Sequence, residues 1–186
     1  VLAFDRRVLG VIRPTVEVIG DMTKTRKIGV LGTLGTIQSE SYPLEIKKLY
    51  PDIEVYSEPC PMWVPLIENN EHNSPGADYF VKLYIDRLMN RCSQIDTVIL
   101  GCTHYPLLRS RIMAYFGEKV HIVNPAYETA MDLKKILEEQ KIANTSGEPA
   151  AYDFYVSDAA EKFKKFANSI LPYDVDKTQA IDIEDY

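Results

Sequence analysis

Cysteine is scarce in this chain of 186 residues: Cys60, Cys92 and Cys102 are the whole set, an odd number with no Cys-x-x-Cys pair. A small secreted scaffold held by disulfides would carry an even set, so that class is set aside. A reducing cytoplasm is the expected compartment. No apolar run approaches the ~18 residues of a membrane helix, and nothing resembles a signal peptide. No block of Lys and Arg offsets the net charge of −6. The densest basic runs, "KTRK" (24–27) and "KFKK" (162–165), read as solvated faces. Nonspecific nucleic-acid binding and membrane binding are therefore not expected. The glycines of "GVLGTLGT" (29–36) match neither G-x-G-x-x-G nor the G-K-[ST] of a phosphate loop. Only small-anion binding by their backbone N–H groups stays open.

What is present suits a packed core, with 46% hydrophobic and 26% charged residues. The opening "VLAFDRRVLGVIRP" reads as a short helix followed by a strand, and Pro14 suits the first turn of a helix over Thr15–Met22. Strands are expected at Ile28–Leu31, within "DIEVYSE" (52–58), within "DTVILG" (96–101) and within "KVHIVNP" (119–125). Helices are expected over Ser39–Tyr50, after the Ser-Pro start at Ser74, over Pro106–Phe116 and over Tyr127–Gln140. A short helical turn closes the Pro-punctuated "PCPMWVPLIENN". This alternation predicts an α/β fold, a parallel sheet with flanking helices. "NTSGEP" (144–149) reads as a surface loop, followed by "AYDFYVSD" and a helix. The acidic tail "DKTQAIDIEDY" is expected to fray.

In parallel sheets, ligands bind at the carboxyl ends of the strands. That rule points to Gly32-Thr33 and to Gly101-Cys102-Thr103-His104. A cysteine at a helix N-terminus lies near unsatisfied N–H groups, which favour its thiolate. His104 can move a proton or donate to a carboxylate, and Thr103 offers a hydroxyl and an N–H to an anion. Cys102 is equally readable as a buried core thiol. A Cys-x-His pair without a second close pair argues against zinc. A Cys-His hydrolase draws its partners from distant parts of the sequence, whereas these two are adjacent but one.

"LGCTHYPLL" (100–108) closely resembles the second catalytic motif of glutamate racemases, the cofactor-independent Asp/Glu racemase family. "GVIRP" (10–14), "IGVLGTLGTIQSESY" (28–42) and "CPMWVPLIENN" (60–70) resemble further segments of that family in the same order, and the C-terminal segment matches more loosely. The resemblance implies interconversion of L- and D-glutamate, supplying D-glutamate for peptidoglycan and so for cell shape. The family uses two cysteines on opposite faces of the α-carbon, with no PLP, no metal and no other cofactor. It implies that Cys102 is one acid/base and deprotonates the L-enantiomer. Thr103 binds substrate, His104 assists Cys102 or holds substrate, and Glu68 is an auxiliary near the site. The Asp-Ser-Gly and Cys-Asn-Thr tripeptides of the family's first lobe do not occur here. Cys60 does not replace the second, because Pro61 follows it.

The resemblance therefore implies roughly the C-terminal two-thirds of such an enzyme. Residues 1–12 would be a remnant of the first lobe and the crossing, 13–125 the second lobe, and 126–186 elements returning to the truncated first lobe. Such a chain, lacking the first catalytic cysteine, is expected to be inactive alone. The full enzyme is expected to be a homodimer, and the missing N-terminal lobe is needed for a complete site. Two alternatives stand beside this reading. One is a racemase of another acidic amino acid such as aspartate, whose enzymes resemble this stretch less. The other is a non-catalytic carboxylate-binding module.

Overall fold

The apolar runs around Val30 and Ile99 become the two inner strands of a parallel sheet. β1 (Lys27–Gly32) and β3 (Thr97–Gly101) pair directly; β2 (Glu54–Pro59) lies outside β1 and β4 (His121–Val123) outside β3, giving the order β2-β1-β3-β4. All three pairings are parallel. Ile28, Val30 and Leu31, like Val98, Ile99 and Leu100, show no polar alternation because helices cover both faces. This is a computed structural model, and it describes residues 8–182 and 184.

Two helices cover one face. α1 (Ile12–Met22) buries Val16 and Ile19, and α3 (Ser41–Leu49) buries Tyr42 and Ile46, against Ile28, Val30, Ile99 and Val123. α5 (Pro75–Arg91), opened by Ser74 and Pro75, covers the other face. It lies so close that a Cβ on Gly29 would stand 2.6 Å from Leu88 Cδ2, so a side chain there would force Leu88 to shift. α6 (Arg109–Phe116) packs on α5, and α7 (Pro125–Glu139) packs on α1 and β3. The chain falls into two compact units divided between Ala143 and Asn144, and the expected boundary at 125–126 lies at the start of α7, inside the first of them.

Several local expectations are corrected. The strand read into 8–12 is absent: residues 8–10 have no regular structure and α1 begins at Ile12. No strand among the described residues lies beside them, while the Thr15 hydroxyl donates to the Val11 carbonyl at 2.9 Å and joins the first turn. The helix expected before Val8 lies outside the described residues. The helix read as Ser39–Tyr50 is preceded by a separate short one, α2 (Leu34–Gln38), whose first turn is capped by the Thr33 side chain. The helix expected at Pro106 begins at Tyr105 as a tighter 3-10 turn (Tyr105–Leu108) and becomes α-helical at Arg109.

In the second unit, β5 (Phe154–Val156) pairs in parallel with β6 (Thr178–Ala180), and α8 (Ala160–Ile170) makes the crossing. The tail expected to fray thus supplies a strand. Buried Val175, whose N–H donates to Asn168 Oδ1 of α8 at 2.6 Å, docks the segment that leads into β6. No described helix is long and apolar enough to cross a membrane.

Asp96 ties the lower ends of the central strands. Its carboxylate accepts from Thr23 Oγ1 at 2.6 Å and from the N–H groups of Lys24 and Thr25 at 2.8 Å each. Burial opposes the charge, but these bonds and a contact from Thr97 outweigh it, so the carboxyl sits below its ordinary value. Replacing Asp96 by Ala is expected to cost about 1.5–3 kcal/mol in urea unfolding at neutral pH, the range for a hydrogen bond to a charged group. Because the folded state holds the carboxyl below its unfolded pKa of about 3.9, that stabilisation is present above that value and fades as pH falls through the lowered one. The wild type and Asp96→Ala should therefore converge in acid.

Candidate active site

The register of the sheet brings three strand ends level. Gly32 stands beside Pro59 on one side and beside Gly101 on the other. The chain runs outward from β1 to β2 and then crosses back to β3, so strand order reverses between β1 and β3. A crevice at the carboxyl ends of the strands belongs at that reversal. Thr33, Cys60 and Cys102 each follow one of the three aligned ends. A Cβ on Gly101 would lie 3.2 Å from the Leu31 carbonyl oxygen and 3.3 Å from the Tyr42 ring. The glycine before Cys102 lets β1 and α3 press against the strand end.

Cys102 is half-buried, Thr103 exposed and His104 half-buried. The expected helix N-terminus is not immediately at Cys102: the 3-10 turn starts three residues later, and the Cys102 carbonyl accepts from Tyr105 N–H at 3.2 Å. Thr103 Oγ1 lies 3.3 Å from His104 Nδ1. His104 Nε2 lies 3.6 Å from Glu68 Oε1. Glu68 is the last residue of α4 (Trp63–Glu68), the short helix that follows β2. The structure thus brings Glu68, distant in sequence, to His104, which also contacts Thr103, while Cys102 precedes them in the same turn.

Two neighbours escaped the sequence reading. Tyr42, from α3, is buried beside this turn; burial, and then the charge that Cys102 can carry, push its phenol up to about 12. Thr36 shares a 3.0 Å hydroxyl contact with Thr33 and lies under Gly101 and Gly32. The repeated Gly-Thr of "GTLGT" was the available signal for Thr36. No local pattern could have found Tyr42, which reaches Gly101 across the fold.

Cys60 has the opposite environment. It is fully buried, its N–H donates to the Gly32 carbonyl at 2.8 Å, and its thiol lies 3.6 Å from the Glu58 carbonyl. Burial, reinforced by the Glu58 charge, pushes that thiol far up, so it stays protonated. Cys92 is the half-buried C-cap of α5. Among the described residues, no three His, Cys, Asp or Glu side chains are grouped to hold a metal.

A family model described as Asp/Glu/hydantoin racemase matches residues 4–132. The chain belongs to that family. Glutamate racemase 2 of Caldanaerobacter subterraneus subsp. tengcongensis is 41% identical over 164 residues, 88% of this chain and 61% of that protein. Among solved structures, glutamate racemase isoform RacE1 from Bacillus anthracis superposes with a TM-score of 0.88 at 35% identity, covering 97% of this chain and 66% of that one. The glutamate racemase of Francisella tularensis, solved in complex with D-glutamate, superposes with a TM-score of 0.84 at 31% identity, covering 96% and 65%. The parallel α/β architecture expected from sequence is the one these racemase structures share. The chain spans about three fifths of the length of the curated relatives it matches.

Within this chain the two strand-end cysteines should react differently. Iodoacetamide at neutral pH is expected to alkylate half-buried Cys102 in the folded protein and to leave buried Cys60 untouched until urea unfolds it. Peptide mass mapping reads both, and early labelling of Cys60 would contradict its placement.

Proposed function

We propose that this chain carries one side of a two-base glutamate racemase site, with Cys102 as one acid/base. The observation that carries the reading is the Cys102-Thr103-His104 turn at the strand reversal, with Glu68 3.6 Å from His104. The family membership supports the reaction class, and the D-glutamate bound in the Francisella relative is consistent with the substrate.

The chemistry asks for what this edge offers. An amino-acid α-proton is weakly acidic, so a thiolate removes it only where preset donors stabilise the developing negative charge. The Cys102 thiolate takes the α-proton of L-glutamate and becomes a thiol. A second cysteine on the opposite face, which these residues do not include, returns a proton and becomes the thiolate. The α-carbon has then inverted and the proton count balances. Thr103 holds a substrate carboxylate through its hydroxyl or N–H. His104 sits between Thr103 and Glu68, so its ring orientation is set from both nitrogens while it assists Cys102 or holds the substrate. The reaction as read calls for no cofactor. Residues 13–125 would form the second lobe, and 126–186 would return to a first lobe that supplies the other base. The whole enzyme is read as a cytoplasmic homodimer making D-glutamate for peptidoglycan.

Circular dichroism of L- and D-glutamate tests this directly. The 186 residues by themselves are expected to show no racemisation. Mixing with a separately expressed first lobe of a family member should restore it. Cys102→Ser in the mixture should then lower kcat by about 10²–10⁴-fold, the range for loss of a positioned acid/base. Turnover by the 186 residues alone, or full activity of Cys102→Ser, would sink the proposal.

A further inference from the structure

The carbonyl of Cys60 accepts two hydrogen bonds. One comes from Tyr105 Oη at 3.1 Å, and the other from Trp63 N–H, at the start of α4, at 3.2 Å. The N–H of the same residue donates to the Gly32 carbonyl at 2.8 Å. A single residue thus ties together the end of β1, the first turn of α4 and the turn that carries Cys102, Thr103 and His104. Tyr105 and Trp63 are both fully buried, with ring centroids 4.7 Å apart in an edge-on contact, and Tyr84 stands behind the indole at 6.0 Å.

The Tyr105 hydroxyl is not needed to satisfy the Cys60 carbonyl, which already has the Trp63 N–H. It occupies the second lone pair. Its effect is on geometry. Tyr105 is the residue after His104, and Glu68 closes the short helix that Trp63 opens. A helix rises about 1.5 Å per residue, so Glu68 stands about 7.5 Å along the axis from Trp63, and a small tilt at the first turn is magnified at the carboxylate. Burial pushes the phenol well above its ordinary value, so it stays a donor wherever the protein is folded.

We infer that Tyr105 is a positioning residue: by bonding the Cys60 carbonyl, its hydroxyl fixes the start of α4 against the Cys-Thr-His turn and so holds Glu68 beside His104. This role rests on the reading of that turn as the reacting site, but its test does not depend on turnover.

The test is NMR of the isotopically labelled chain. At 3.6 Å between His104 Nε2 and Glu68 Oε1, the ring Hε1 of His104 should show a cross-peak to the Glu68 side-chain methylenes. In Tyr105→Phe, which keeps the ring and removes only the hydroxyl, that cross-peak is expected to be lost while the amide spectrum of the four strands persists. A cross-peak at wild-type intensity in a folded Tyr105→Phe overturns the inference. Trp63→Phe keeps the hydroxyl bond and thins the aromatic packing, so it should retain the cross-peak. Its loss there would assign the positioning to the indole and overturn the role of the hydroxyl. Should Tyr105→Phe not fold, loss of the cross-peak in Trp63→Phe still overturns the inference. A chain that passes this test yet never racemises glutamate with a first lobe would sink the proposed function and leave the positioning role standing.

Discussion

The in-register pairing of β1 with β3 is the constraint on which the rest depends. Gly32 and Gly101 stand side by side, and strand order reverses between them. Parallel strands deliver their carboxyl ends to one edge, so two segments that are far apart in the chain open into the same space. Both positions are glycine because α2, α3 and the neighbouring strand press on them. A side chain at Gly101 would meet the Leu31 carbonyl and the Tyr42 ring, and one at Gly32 would meet Ile37 and Thr36. The site edge therefore forms where the backbone is most tightly packed, and the side chains that follow the glycines gain their direction from that packing.

Environment separates two residues of one chemical type. Cys60 and Cys102 follow strand ends that flank β1. Cys60 lies beneath α4 with every direction filled, and burial keeps its thiol protonated. Cys102 sits in an open turn ahead of a 3-10 segment, with Thr103 and His104 beside it. A thiol that is to exchange protons with a ligand has to be reachable, and a thiol that packs a core has to be inert. Cys60 instead contributes through its backbone, where one carbonyl and one N–H join β1, α4 and the 3-10 turn.

Much of the fold was legible because its strands are buried on both faces. Continuous runs such as Val98–Leu100 cannot be mistaken for amphipathic surface, and the intervening helices carry clear starts such as Ser74-Pro75. The errors fall where local pattern is weak. The apolar stretch before α1 resembles a strand, yet a strand needs a partner, and the helical turn at Pro14 and Thr15 prevailed. The tail resembles a loop by composition, yet Thr178–Ala180 pairs with β5 because Val175 and Asn168 anchor the approach.

By itself the sequence determined the class of fold, the strand-end location of Cys102, Thr103 and His104, and the resemblance that tied Glu68 to them. Those are properties of residue type, spacing and order, and they survive without coordinates. Only the tertiary structure decided that Glu68 reaches His104, that Tyr42 packs against Gly101 at the start of the Cys102 turn, and that Tyr105 bonds the carbonyl of Cys60. These contacts join residues 36, 59 and 45 positions apart. Periodicity reports which face a side chain takes, but not which distant side chain meets it there. That meeting is set by strand register and by the packing of helices over the strand ends.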